Sequence, residues 1–351
     1  MLGWPPCHHS SLTVMQSWIS LRRFGITGIS ARYGPGKRFV LWCGLLILAL
    51  AASELVCRAL GLHTPVIYET TDYGYRIKPN QDINRFGNRV YINSQGLRSE
   101  PMSPLPADGV VRVLCIGDSI TNGGTRIDQA DTYPYRLQQL MRNGGNRVEV
   151  LNASAPGWAI TNEVRWLQRN GTYHSRVVML VIGTTDLFQE FAGAEIVGVH
   201  PSFPGSAPVL ALEELVLRYL LPKLQRRSLA DPGAQPSAPS LAVAKENIVQ
   251  LQNAADFAAR AGAKSVVLYV EQPGQLELAD TYTSEAKALL FESLRQHGIP
   301  FSNTRDSVER AGGLTLFRDG LHPNTEGNRV LAKVAANLLA PVVDGITPLG
   351  K

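Results

Sequence analysis

The sequence is poor in cysteine: four of its 351 residues are cysteines, and their spacing matches neither a metal site nor a disulfide framework. They are Cys7, Cys43, Cys57 and Cys115. Gly123 and Gly124 also lack the following lysine that a phosphate-binding loop requires. We therefore expect no metal ion, no disulfide scaffold and no cofactor.

Acidic residues are missing from residues 1–38, which carry five basic residues. These are Arg22, Arg23, Arg32, Lys37 and Arg38. Of the 34 basic residues in the chain, 29 lie outside this arm, which equals the number of acidic residues, 29. The net charge of +5 thus belongs to the arm. Because the body of the chain is neutral, we expect no nucleic-acid-binding surface.

A long apolar run follows the arm, from Phe39 to Ala52, and extends to Cys57 with one acid, Glu54. A membrane span needs about 20 residues of this kind. The basic pair Lys37 and Arg38 predicts that the N-terminus stays in the cytoplasm and that the body is exported. We expect a basic cytoplasmic tail at residues 1–38 and a transmembrane anchor at residues 39–58.

Two other interpretations of this run stay open. Ala49-Leu50-Ala51 has the pattern of a signal-peptide cleavage site, and cleavage there would release the body. A buried core helix would leave the basic flank unexplained. Residues 1–36 are either a disordered tail or the product of a start codon upstream of the true one.

Predicted strands and helices alternate from residue 108 to residue 345. The strands are Val111–Ile116, Val148–Leu151, Val177–Ile182, Ser265–Val270 and Pro300–Ser302. The helices are Tyr133–Arg142, Thr161–Asn170, Leu241–Ala261, Ser284–His297 and Glu326–Leu339. This alternation predicts right-handed crossovers and a parallel sheet covered by helices on both faces.

Two further segments accompany this domain. Residues 60–107 are rich in Tyr, Asn, Gly and Pro, and predict a β-rich prelude with short strands within 73–79 and 90–97. Residues 187–240 interrupt the alternation with an amphipathic helix, Ala211–Leu224, and a Pro/Ala/Ser linker, Asp231–Ser240. This insertion follows the third strand, so it is either a lid that shapes the substrate site or a plain connector.

One serine lies where open α/β sheets bind ligands. Gly117-Asp118-Ser119 directly follows the first buried strand of the sheet, although such a tripeptide alone is also compatible with a turn. Asp319 precedes His322 by three residues, so a tight turn would let the carboxylate hold one imidazole nitrogen. The other nitrogen would then accept a proton from a serine. The two motifs together predict a catalytic triad of Ser119, His322 and Asp319.

Four sequence blocks resemble the SGNH (GDSL-type) hydrolase family. They are IGDSITNG (Ile116–Gly123), NASAPGW (Asn152–Trp158), IGTTD (Ile182–Asp186) and DGLHPNTEGN (Asp319–Asn328). The resemblance spans residues 111–341 and implies a flavodoxin-like three-layer αβα sandwich with a central parallel sheet. Glu54 to Arg58 also resembles the Glu-Leu-x-x-Arg exit of membrane-anchored bacterial members, which favours the anchor over the cleaved signal.

The resemblance further implies an oxyanion hole built from the backbone N–H groups of Ser119 and Gly157 and one side chain of the third block. Thr185 stands where the family has an asparagine, and its hydroxyl has a shorter reach than an amide. Loss of one oxyanion donor typically costs about 10²–10³ in turnover. Either Thr185 donates, or Asn122 or Asn162 replaces it, or the enzyme is slow.

Asn122 and Asp186 are candidate substrate-binding residues, and Asp186 alternatively caps the turn that follows the third strand. The resemblance implies an extracytoplasmic serine esterase or acylhydrolase whose substrate is an acyl ester, for instance an acetylated glycan. One alternative is an O-acyltransferase that passes the acyl group to a cell-envelope or exported polysaccharide. Another is a non-catalytic module that binds a glycan or a partner; Thr185 favours it, and the intact triad motifs oppose it.

Overall fold

The structure, a computed structural model, describes residues 34–224, 240–272 and 281–346. Most of the predicted tail, residues 1–33, and the linker residues 231–239 therefore lie outside the described residues. The chain divides into two compact units, Met1–Val56 and Cys57–Lys351. The second unit contains the prelude and the whole α/β domain.

The first helix, α1, runs from Pro35 to Ala59. Its most apolar window has a mean hydropathy of 2.3, and none of that window is buried. At 1.5 Å per residue, 25 residues extend about 37 Å, which exceeds the roughly 30 Å hydrocarbon core of a bilayer. By length and composition α1 is able to cross a membrane, a property that a signal sequence shares.

Two antiparallel hairpins follow and form the β-rich segment expected before the main domain. Their strands are β1 (Tyr68–Thr71), β2 (Gly74–Ile77), β3 (Gln81–Arg85) and β4 (Asn88–Ile92). Phe86 and Gly87 join β3 to β4 with φ angles of 53° and 80°. A two-residue turn with positive φ at both positions matches the twist of the flanking strands, which explains this tight hairpin.

The central sheet has five parallel strands, as the alternation predicted. They are β5 (Val111–Gly117), β6 (Val148–Ser154), β7 (Val177–Gly183), β8 (Lys264–Val270) and β9 (Phe301–Asn303). Their order is β6-β5-β7-β8-β9, the flavodoxin-like order. The strand that follows β5 in the chain, β6, pairs with one edge of β5, and the next strand, β7, pairs with its opposite edge. The resulting crevice lies between β5 and β7 at their carboxyl ends.

Helices cover both faces of this sheet, which confirms the three-layer sandwich. Apart from the insertion, they are α2 (Ser119–Asn122), α3 (Tyr133–Asn143), α4 (Ile160–Asn170), α7 (Leu241–Arg260), α8 (Thr281–Gln296), α9 (Arg305–Ala311) and α10 (Thr325–Asp344). Successive strand residues alternate between two cores. Leu114 and Ile116 pack with α4, α7 and α8, whereas Val113 and Cys115 pack with α3 and α10.

The insertion contains the predicted helix, but its hydrogen-bonding pattern changes from α-helical to π-helical and back. It consists of α5 (Ala211–Glu214), a π-helical segment (Leu215–Leu220) and α6 (Leu221–Leu224). Glu214 forms a buried ion pair with Arg85 at the end of β3, and the Arg85 Nη1–Glu214 Oε2 distance is 3.2 Å. This pair joins the insertion to the prelude.

Candidate active site

The loop after β5 holds Ser119 at the crevice. Asp118 is the N-cap of α2, and its Oδ1 accepts a hydrogen bond from Ile120 N–H at 2.8 Å. A Cβ on Gly117 would lie 2.1 Å from Thr121 Oγ1, so only glycine lets the strand approach α2 this closely. Ser119 is the first residue of α2, and 9% of its surface is exposed. These features place its hydroxyl at the carboxyl end of the central strand.

The structure brings Ser119, His322 and Asp319 into one hydrogen-bonded relay. His322 Nε2 lies 3.0 Å from Ser119 Oγ, and His322 Nδ1 lies 2.9 Å from Asp319 Oδ2. The ionised carboxylate accepts from Nδ1–H, which leaves the lone pair of Nε2 facing the serine hydroxyl. A serine, an imidazole and a carboxylate in this order are the groups that nucleophilic catalysis needs.

The loop of the last motif fixes the carboxylate of Asp319. Its Oδ1 accepts from the backbone N–H groups of Leu321 and His322 at 3.1 and 2.8 Å. Partial burial alone would raise the pKa of Asp319, but the hydrogen bonds from the His322 ring and backbone hold that pKa well below its ordinary value. The carboxylate therefore stays ionised at neutral pH and can stabilise a protonated His322.

Asp118 competes with His322 for the serine proton. Ser119 Oγ donates to Asp118 Oδ2 at 3.1 Å and also lies within reach of His322 Nε2. Burial raises the pKa of Asp118, against the lowering effect of the bond from Ile120 N–H and of the charge on His322. Because the hydroxyl carries one proton, attack by Ser119 requires that this proton turn from Asp118 to His322.

The expected oxyanion donors differ in their surroundings. Gly157 has φ +77°, and its backbone N–H donates to no residue in the part of the chain that the structure describes. Thr185 Oγ1 instead donates to Gln272 Oε1 at 3.2 Å, so its one hydroxyl proton is already engaged. The Gly157 amide thus has no competing acceptor among the described residues, whereas Thr185 would have to leave Gln272 to donate elsewhere.

The two asparagines considered as substitutes for Thr185 also differ. Asn162 Nδ2 donates to the carbonyls of Tyr73 and Ala192 at 2.9 and 2.8 Å, and the side chain is completely buried. Asn122 Nδ2 makes only 3.3 Å contacts with Ser154, and Asn122 lines the cavity above Ser119. Of the two, only Asn122 is placed to meet a substrate.

Asp186 is absent from the lining of this cavity, and its carboxylate bonds back to the end of β7. Its Oδ2 accepts from Gly183 N–H at 2.6 Å. Burial, followed by the nearby charge of Asp118, raises the pKa of Asp186 well above its ordinary value. A buried carboxyl that is bonded to its own loop shapes the end of β7.

Three residues near the site were not found by the sequence analysis. Arg98 donates to the carbonyls of Asn122, Gly124 and Ile127 at 2.6, 2.5 and 2.7 Å, and so braces the loop after α2. Glu163 is completely buried on α4, and neither of its carboxylate oxygens has a hydrogen-bond partner among the described residues. Gln272 has an unpartnered, buried Nε2. Of the three, only Gln272 could have been predicted as a site residue from the sequence, because it follows the carboxyl end of a predicted strand.

An open cavity of about 580 Å³ lies over Ser119 and His322. Besides the residues of the relay, its lining includes Val66, Tyr68, Asn122, Thr125, Arg126, Pro156, Ser202, Phe203, Arg218 and Arg318. Its size is within the range of about 300–1,000 Å³ that is usual for small-molecule sites. No group of three or more His, Cys, Asp or Glu residues within the described ranges forms a ligand set for a metal ion.

A model of the GDSL-like lipase/acylhydrolase family matches residues 115–330. This match covers more than half of the 351 residues and includes Ser119, Asp319 and His322. The chain belongs to the GDSL-like lipase/acylhydrolase family. In a comparison with curated proteins, no sequence matched the chain.

Several solved structures are similar to the chain. TesA is 17% identical, with a TM-score of 0.43 over 66% of this chain and 99% of that chain. The psychrotrophic esterase EstA from Pseudoalteromonas sp., in a structure inhibited by monoethylphosphonate, is 13% identical, with a TM-score of 0.43 over 67% and 99%. A catalytic mutant of the acetylxylan esterase Axe2 from Geobacillus stearothermophilus is 12% identical, with a TM-score of 0.43 over 68% and 95%.

Proposed function

We propose that this chain is a serine ester hydrolase that works through an acyl-enzyme on Ser119. The observation that carries the proposal is the relay in which His322 Nε2 lies 3.0 Å from Ser119 Oγ and Nδ1 lies 2.9 Å from Asp319. Membership of a lipase/acylhydrolase family supports an ester as the substrate. The acyl group we propose is small, such as an acetyl group on a glycan.

The proposed reaction uses the relay in the following order. His322 Nε2 takes the proton of Ser119 Oγ as this oxygen attacks the ester carbonyl, and Asp319 stabilises the imidazolium that forms. The N–H groups of Ser119 and Gly157 stabilise the negative charge on the carbonyl oxygen. His322 then protonates the leaving alcohol. In the second half-reaction it takes a proton from water, which attacks the acyl-enzyme and regenerates the Ser119 hydroxyl.

A fluorophosphonate probe on the full-length chain in a non-ionic detergent tests this scheme. Phosphonylation of Ser119 requires an activated hydroxyl, so we expect labelling that disappears in Ser119→Ala and falls steeply in His322→Ala. Ser302→Ala is the matched control, because Ser302 lies in β9 and lines a different cavity. No labelling of the wild-type chain would refute the proposal and favour the non-catalytic binding module.

Product analysis separates hydrolysis from acyl transfer. With a labelled acetyl ester and no acceptor, the proposed hydrolase releases free acetate at a steady rate. An O-acyltransferase would release little acetate until a polysaccharide acceptor is added, and the label would then appear on the polysaccharide. This second result would mean that a sugar hydroxyl, and not water, attacks the acyl-enzyme in the second half-reaction.

We also propose that α1 anchors the chain in the inner membrane, with the hydrolase domain on the periplasmic or extracellular side. The support is the length and apolar character of Pro35–Ala59 and the basic pair Lys37 and Arg38 at its start. Protease added to spheroplasts should digest the domain, and the mature chain should keep α1. A domain protected from protease would refute export, and a mature chain that starts after Ala51 would identify a cleaved signal.

A further inference from the structure

Three arginines line the cavity beside the catalytic relay, and they come from three different parts of the chain. Arg126 lies in the loop after α2, Arg218 lies in the insertion, and Arg318 directly precedes Asp319. Asp319 is the only carboxylate in this lining, and it is bonded to His322. The cavity therefore carries an excess of positive charge.

Two of these arginines lack a bonded carboxylate partner among the described residues. Neither Arg126 nor Arg318 forms an ion pair or a side-chain hydrogen bond with any residue in the described ranges. The Nε of Arg318 is buried without a partner, which is a costly arrangement for a charged donor. Burial lowers the pKa of Arg318; the charge of Asp319 raises that pKa in part, and the like charge of Arg126 lowers it.

The third arginine adds to this charge. Arg218 Nη1 lies 3.3 Å from Glu214 Oε1, but the same carboxylate is the partner of the buried Arg85. One negative charge is thus shared by two guanidinium groups. Because this cluster keeps a net positive charge, it cannot neutralise the other arginines of the cavity.

We propose that Arg126, Arg218 and Arg318 form an anion site, so that the ester cleaved at Ser119 belongs to an acylated sugar that carries a carboxylate or phosphate group. This inference rests on the proposed function of the same cavity. Guanidinium groups bind both anions through paired, charge-assisted hydrogen bonds, and neither Arg126 nor Arg318 has another side-chain hydrogen-bond partner in the described ranges. The largely polar lining, with the rings of Tyr68 and Phe203 on one side, fits a sugar better than a long acyl chain.

Three acetyl esters that differ only at one sugar carbon test the charge requirement. They are 3-O-acetylglucose, 3-O-acetylglucuronic acid and 3-O-acetylglucose 6-phosphate. With the full-length chain in a non-ionic detergent, we expect at least one anionic ester to have a kcat/KM about 10- to 100-fold above that of the neutral ester. The anion that is preferred identifies the carboxylate or the phosphate as the natural group. Equal kcat/KM values for all three esters would overturn the proposal.

Arginine variants assign the preference to the cavity. In Arg126→Gln and in Arg318→Gln, the ratio of anionic to neutral kcat/KM should fall by about tenfold each. Arg305→Gln is the matched control, because it removes an exposed arginine that pairs with Glu309 outside the cavity. An equal loss on all three esters, with the ratio unchanged, would show that the arginines support the fold or the relay and would refute the anion site.

A binding measurement separates this inference from the proposed function. Calorimetry with the Ser119→Ala chain measures the affinity for the same three esters without turnover. Selective binding of an anionic ester by Ser119→Ala, together with no hydrolysis of any of the three esters by the wild-type chain, would refute the esterase and keep the anion site. Hydrolysis of the neutral ester with no preference for an anion, in both rate and binding, would refute the anion site alone.

Discussion

We expect Glu163 to make the stability of this protein depend on pH, and we expect Glu163→Gln to remove that contribution. The side chain lies on α4 and is completely buried, and within the described ranges neither carboxylate oxygen has a hydrogen-bond partner. Burial raises the pKa of Glu163 well above its ordinary value of 4.5, and the charges of Asp186 and Asp118 raise it further. The folded protein therefore holds a proton on Glu163 that the unfolded chain releases near its ordinary pKa.

The sign of the effect follows from this difference in proton binding. Between the unfolded pKa and the raised folded pKa, the native state binds one proton more than the unfolded state, so stability falls as the pH rises. The slope is about 1.4 kcal/mol per pH unit. Glu163→Gln keeps the shape of the protonated side chain and cannot ionise. Its free energy of unfolding, relative to wild type, should therefore increase as the pH rises above the unfolded pKa, by at most about 1.4 kcal/mol per pH unit.

Denaturant unfolding of the full-length chain at a series of pH values measures this difference. Glu292→Gln is the matched control: Glu292 is exposed and pairs only with Arg295 and Gln296 on its own helix. For the control we expect no pH-dependent change relative to wild type, because Glu292 lies at the surface and away from the buried Glu163. A difference between Glu163→Gln and wild type that stays constant or shrinks as the pH rises would refute a protonated Glu163.

Other substitutions test the site and its supports. Asp319→Asn should lower kcat/KM by about 10³–10⁴ in an ester hydrolysis assay, because His322 would lose the partner that sets its tautomer; an unchanged rate would remove Asp319 from the relay. Glu214→Gln should lower the free energy of unfolding by about 3 kcal/mol, since it leaves the buried Arg85 charge without its carboxylate, and an unaltered unfolding midpoint would contradict this. Thr185→Asn should raise p-nitrophenyl acetate turnover if a third oxyanion donor is missing, and an equal or lower rate would show that none is missing.

Much of the fold could be predicted because the local sequence composition identifies the strands. β7 is an uninterrupted apolar run, and β5 is apolar apart from Arg112 near its start; strands buried on both faces need this composition. The end of β6 was missed: the strand continues through Asn152 to Ser154, and Asn152 Nδ2 is bonded to Thr121 O at 2.9 Å. A polar residue inside a sheet is predictable only when its partner on another segment is known.

In the candidate site, too, some features could be predicted from the local sequence and others could not. The short motifs around Ser119 and His322, together with the alternation of strands and helices, determined which residues to expect at the carboxyl edge of the sheet. The sequence could not show that Arg98 braces the nucleophile loop, that Arg126 and Arg318 share one cavity, or that Glu163 is buried without a partner. A motif and a periodic pattern are properties of neighbouring residues. Burial, a missing counter-ion and a shared cavity arise only when distant segments meet, so the tertiary structure alone decides them.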